Sequence, residues 1–128
     1  MYRAIHFLHL VAAATWLGGM ITLAVVVGAL RKAGVERAVI VAAARAFARV
    51  SWPALLVAIA TGLTQVHMLA LPWSYRPLAI KVGLVAVTAL IAIGHVRFAK
   101  RLAPAARGAL EGILLLLTLA IFLAAASI

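Results

Sequence analysis

The chain alternates long apolar runs with short basic links. Residues 4–30 read AIHFLHLVAAATWLGGMITLAVVVGAL, and further apolar runs cover residues 50–71, 78–97 and 109–128. Each is close to the length of about 20 residues that a helix needs to cross a bilayer core. The pattern therefore predicts an all-α integral membrane protein, a single domain built as an antiparallel four-helix bundle. Its first link is more than a loop. Arg37, Arg45 and Arg49 share one face of a helical segment over residues 35–49, which either lies on the membrane surface or extends the second helix inward. Ser51 suits a helix cap and Pro53 a first helical turn, so a restart is expected there. Residues 71–77 (LPWSYRP) form a tight turn. Trp73 and Tyr75, like Trp52, suit the aromatic belt at a membrane interface. The third link, AKRLAPAAR, is broken by Pro104.

The basic residues orient this bundle. The first link carries Arg31, Lys32, Arg37, Arg45 and Arg49, and the third carries Arg97, Lys100, Arg101 and Arg107. The opposite side has only Arg3, Arg76 and Lys81. Cytoplasmic loops are enriched in lysine and arginine, so the first and third links belong inside and both termini outside a cell inner (plasma) membrane.

Composition narrows the function classes. The chain is 68% hydrophobic and 11% charged, which a soluble domain of 128 residues does not tolerate. Its net charge of +10 sits at the ends of the apolar runs, so membrane lipid rather than nucleic acid is the expected partner. The first run is too long for a signal-peptide core and is expected to remain as a membrane helix. There is no cysteine, hence no disulfide or thiolate ligand. Glu36 and Glu111 are the only acids and belong near the cytoplasmic side. That leaves no carboxylate pair for acid–base work. Nor is there a phosphate loop, a nucleophile with a base, or zinc-ligand spacing.

The remaining candidates are histidines. Ionisable residues inside a bilayer are costly and mark functional sites. His6 and His9 fall near the outer end of the first helix, and His67 falls near the outer end of the second. Lys81 lies about a turn into the third helix, and Arg3 and Arg76 lie at the outer rim. Small residues (Ala12, Ala13, Ala14, Gly18, Gly19) leave room for a neighbouring helix or a flat ligand. A second stripe of Ala60, Thr64 and His67 is expected to face them, with Thr61 and Gln65 nearby. This set suits haem b: His9 and His67 as axial ligands with His6 in reserve, and Arg3 and Arg76 for the propionates. The plainer alternatives are histidines bonded to a neighbouring helix and a Lys81 that snorkels to the surface. His95 stands apart, near the cytoplasmic end of the third helix.

The stretch LHLVAAATWLGGM resembles the opening helix of the copper resistance protein D family. The order that follows is also similar: RAFARVSWP, an apolar helix with TGL, an aromatic turn, then PLAIKVGLVAVTAL. The chain resembles the related HemJ-type protoporphyrinogen oxidases as well. The likeness runs through nearly the whole chain, on short apolar motifs. It implies a small haem b membrane protein with a first-helix histidine, matched by His9, and a lysine opening the third helix, matched by Lys81, in a catalytic role. After Trp16 this chain reads LGGMITLAVVV, where HemJ-type proteins carry an aromatic, proline and arginine-containing motif. Electron transfer with a quinone or a periplasmic carrier therefore stands beside porphyrin redox chemistry. Copper transport or resistance is the alternative, through His6, His9, His67 and the methionines, although a chain without cysteine offers few soft ligands for copper(I). A third possibility is a structural role, as a homodimer or as an accessory subunit of a larger membrane complex.

Overall fold

The computed structural model describes every residue from Met1 to Ile128. It is all helical: α1 (Tyr2–Lys32), α2 (Arg37–Met68), α3 (Arg76–Phe98) and α4 (Pro104–Ala125). All four helices are long and apolar enough to cross a membrane. They form two compact units, Met1–Ala70 and Leu71–Ile128, each a pair of helices.

The helix ends follow backbone chemistry. No N-cap side chain bonds to its helix, so starts and stops fall to proline and to the backbone itself. Proline opens α3 and α4, where its missing N–H costs nothing. At the end of α1, Gly34 adopts φ +70. The Gly34 amide donates to the Arg31 carbonyl at 3.1 Å and the Val35 amide to the Leu30 carbonyl at 3.2 Å. These are the two bonds of a Schellman stop. The end of α2 uses the same left-handed position without a glycine: Ala70 sits at φ 49.

The expected restart near Ser51 is corrected by the structure. Residues 35–49 and 50–71 do not form two segments; α2 is one helix of 32 residues running through Pro53 and ending at Met68. Of the two placements open to the basic segment, it takes the extension of the helix. Pro53 forfeits one backbone bond, and α2 packs against α1 on both sides of it, at Trp52 and at Thr61. Ser51 caps nothing. It is buried in the middle of the helix, and its Oγ has no hydrogen-bond partner. In the second unit, α4 begins at Pro104 rather than near residue 109, because proline fits a first turn.

In the first unit, four contacts fix the register of α1 against α2. His6 meets Gln65, His9 meets Thr61, Trp16 meets Trp52 and Gly19 meets Phe47. Positions descend on α2 as they ascend on α1. On α1 the less exposed positions Ile5, His9, Ala12, Trp16 and Gly19 are spaced alternately by four and three, the spacing of a knobs-into-holes seam. Trp52 is thus a seam residue, edge-on to Trp16 with ring centroids 6.3 Å apart, and not a belt residue. Trp73 and Tyr75 are exposed in the turn. Gly19 brings the Phe47 ring onto the α1 backbone, whereas Gly18 has open space.

In the second unit the buried positions are Leu78, Thr88 and Ala92 on α3 and Leu114 and Thr118 on α4. Thr88 and Thr118 can be buried because each hydroxyl bonds within its own helix. Thr88 donates to the Leu84 carbonyl at 2.8 Å, and Thr118 to the Leu114 carbonyl at 2.8 Å. Small hydroxylated residues of this kind let helices approach closely in lipid.

Candidate functional site

The α1 seam runs Ile5, His9, Ala12, Trp16, Gly19, which carries the His9 ring into α2. Facing it are Ala58, Thr61, Gly62 and Gln65. His9 Nδ1 lies 2.9 Å from the Ala58 carbonyl oxygen and 3.1 Å from Thr61 Oγ1. A carbonyl oxygen can only accept, so Nδ1 carries the proton and donates. The Thr61 hydroxyl donates to the Val57 carbonyl, which leaves its lone pairs to face the imidazole. Gly62 makes the approach possible: a Cβ at that position would lie 3.2 Å from His9 Cε1.

His6 continues the same polar line. Its Nδ1 lies 2.8 Å from Gln65 Oε1, and Gln65 Nε2 donates to the Thr61 carbonyl at 3.2 Å. That second bond sets the amide with its oxygen toward His6, so His6 Nδ1 also donates. The Tyr2 ring stacks on His6 with centroids 5.8 Å apart and an interplanar angle of 18°. His6, Gln65, Thr61 and His9 therefore form one connected ladder across the helix pair.

Several expected residues lie elsewhere. Ala60, Thr64 and His67 are all exposed, so the stripe facing α1 is displaced by one residue from the one expected, to Thr61, Gly62 and Gln65. His67, in the last turn of α2, is about 140° around the helix from Gly62 at 100° per residue. It does not share the seam with His9. Arg3 is exposed, one turn before His6. Arg76 and Lys81 belong to α3 in the second unit, Arg76 exposed at its start and Lys81 partly buried. His95, expected to stand apart, has a neighbour: its Nε2 is 3.8 Å from Glu111 Oε1, and its Nδ1 is buried without a partner.

Sequence reasoning named Thr61 and Gln65 but missed the Ala58 carbonyl, Gly62 and Tyr2. Gly62 had a signal in the sequence, a glycine directly after a threonine on an otherwise apolar helix. The carbonyl had none, because every residue carries one.

Chemically, the ladder orients imidazoles. A histidine that ligates a metal usually donates its other ring N–H to a carbonyl or carboxylate, which fixes the tautomer and raises ligand basicity. His9 has that arrangement. Nowhere do three or more His, Cys, Asp or Glu side chains gather as ligands for one ion. A donor set this small fits a metal that brings its own equatorial ligands, as haem iron does. It fits less well a bare ion that needs four protein ligands. In comparisons with known proteins, the chain matches no family model, no curated protein and no solved structure.

Proposed function

We propose that this chain is a multi-pass plasma-membrane protein of the copper resistance D/HemJ-like kind, binding haem b through His9 near the outer leaflet. In this reading its helices form an antiparallel bundle with both termini outside. The observation that carries it is the His9 Nδ1 bond to the Ala58 carbonyl at 2.9 Å, the kind of carbonyl contact that orients a metal-ligating imidazole. Bound haem supplies one-electron chemistry. The chain's own residues do the rest: Ala58 and Thr61 hold the ring, and Gly62 gives it room. Arg3, one turn before His6 on the same helix, offers positive charge for a propionate. Because His67 faces away from the seam, it does not bracket a macrocycle together with His9 inside this helix pair. His9 would be the residue of this helix pair that holds the haem iron. The electron partner is a quinone or a periplasmic carrier.

An absorption spectrum of the purified chain tests this directly. A Soret band, present as isolated or restored by added haem, is expected; a protein with no such band before or after haem addition would sink the reading. A copper-handling role has one observation in its favour. His6 and His9 are one turn apart on α1, and both turn Nδ1 toward α2, so two oriented imidazoles stand close together. Copper uptake that falls in His6→Ala and His9→Ala, with no haem spectrum, would select it.

A further inference from the structure

We infer that Arg45 and Arg49, on the outer face of α2, form a binding site for the phosphate of an anionic phospholipid in the leaflet on the basic side. The inference requires the helices to be in a membrane and does not depend on haem.

The register of the first unit leads there. Phe47 lies over Gly19, so Arg45 and Arg49 straddle the level of Gly19 on α1. At that level the apolar run of α1 is far from finished. Met20 to Leu30 follow, broken only by Thr22 and Gly28, for roughly 16 Å at 1.5 Å per residue. The two helices thus disagree about where the hydrocarbon ends: α1 remains apolar where α2 carries two guanidinium groups. The disagreement exists because α2 is a single helix; a basic segment lying on the surface would avoid it.

An arginine at such a depth needs an anion. The chain supplies none. The only acid in this unit, Glu36, precedes α2 and lies roughly 14 Å up the axis from Arg45. The other acid, Glu111, is the one beside His95. Neither Arg45 nor Arg49 makes a hydrogen bond or ion pair within the protein, and both are exposed. They are one turn apart on the side of α2 away from the seam. Helical side chains lean toward their own N-terminus, which for α2 is the end bearing Arg31, Lys32 and Arg37. Both guanidinium groups therefore reach toward the basic interface, where a lipid phosphate can sink to meet them and accept paired N–H bonds. Below them the same face turns apolar. Leu56 and Leu63, seven and fourteen residues after Arg49, are 63% and 49% exposed, a stripe suited to the acyl chains of that lipid. Headgroup and tail contacts then run along one face in the order a phospholipid presents them.

The test is retention of lipid by the full chain. Purified protein is equilibrated with mixed detergent micelles containing equal phosphatidylcholine and phosphatidylglycerol, and the retained lipid is counted by native mass spectrometry. We expect phosphatidylglycerol enriched several-fold. Arg45→Gln/Arg49→Gln should lose that enrichment, while Arg31→Gln/Lys32→Gln, which removes the same charge at the helix end, should keep it. Tryptophan fluorescence of Trp16 and Trp52 confirms that both variants remain folded. The site is wrong if the native chain shows no enrichment, or if both double variants lose it equally, because diffuse charge then explains the binding. Displacement of the lipid by millimolar inorganic phosphate also overturns it, since that would mark a free-anion site.

Discussion

The contact of Gly19 with Phe47 fixes the register on which both the histidine ladder and the arginine level depend, so it repays a quantitative test. A Cβ at position 19 would fall 2.6 Å from Phe47 Cε2 and closer still to Cζ. No real carbon tolerates that, so Gly19→Ala must push the ring aside or part the helices. Alanine gains about 1 kcal/mol over glycine in helix propensity. Overpacking a close seam costs about 1–3 kcal/mol. The net effect in the native background is a loss of about 1 kcal/mol. Removing the ring with Phe47→Ala leaves a void of its own and removes the clash, so adding Gly19→Ala in that background should recover the propensity gain. The sign of the glycine substitution thus reverses between backgrounds, with a coupling energy of about 1–3 kcal/mol. Reversible unfolding in mixed micelles of increasing SDS fraction, followed by the fluorescence of Trp16 and Trp52 across the same seam, supplies all four corners of the cycle. Gly19→Ala that stabilises both backgrounds equally would show that Phe47 does not rest on Gly19, and the register would fall with it.

Three smaller predictions follow from local geometry. Ala70 holds a left-handed conformation that costs a non-glycine residue about 1–2 kcal/mol, so Ala70→Gly should stabilise the first unit by up to that amount, while Gly34→Ala, at the matching stop of α1, should destabilise it by about 1 kcal/mol, both by the same SDS titration. Thr61→Val removes one of the two oxygens around His9 Nδ1 and leaves the Ala58 carbonyl, so a loss of about 1 kcal/mol with any haem band retained is expected. Glu111→Gln should change stability by less than about 1 kcal/mol, because the carboxylate is 55% exposed and 3.8 Å from His95; a larger loss would mean the pair is far drier than the structure has it.

Much of this fold was legible in the sequence because membrane helices announce themselves by composition. Runs of about 20 apolar residues located all four helices to within a few residues at most ends. The errors came where local rules met tertiary packing. Pro53 reads as a helix start in isolation, but α2 runs through it as one helix. The inward stripe of α2 was displaced by one residue because apolar residues cover every side of a lipid-facing helix, and periodicity then says little about which side meets a neighbour. Only the contacts of Thr61, Gly62 and Gln65 with α1 decide it. His9 was found from its cost inside a bilayer. The partner that fixes its tautomer, a backbone carbonyl, carries no sequence signal, and the exposure of His67 depends on that same one-residue displacement.

His9 is proposed as the residue that holds haem. That role is tested most directly by the Soret absorbance per chain of three samples measured together: native protein, His9→Ala, and His9→Ala with added imidazole. A band is expected in the first, its loss in the second, and its return in the third as imidazole takes the place left beside Ala58 and Gly62. A band of equal height in His9→Ala would contradict it, as would a native chain that takes up no haem at all.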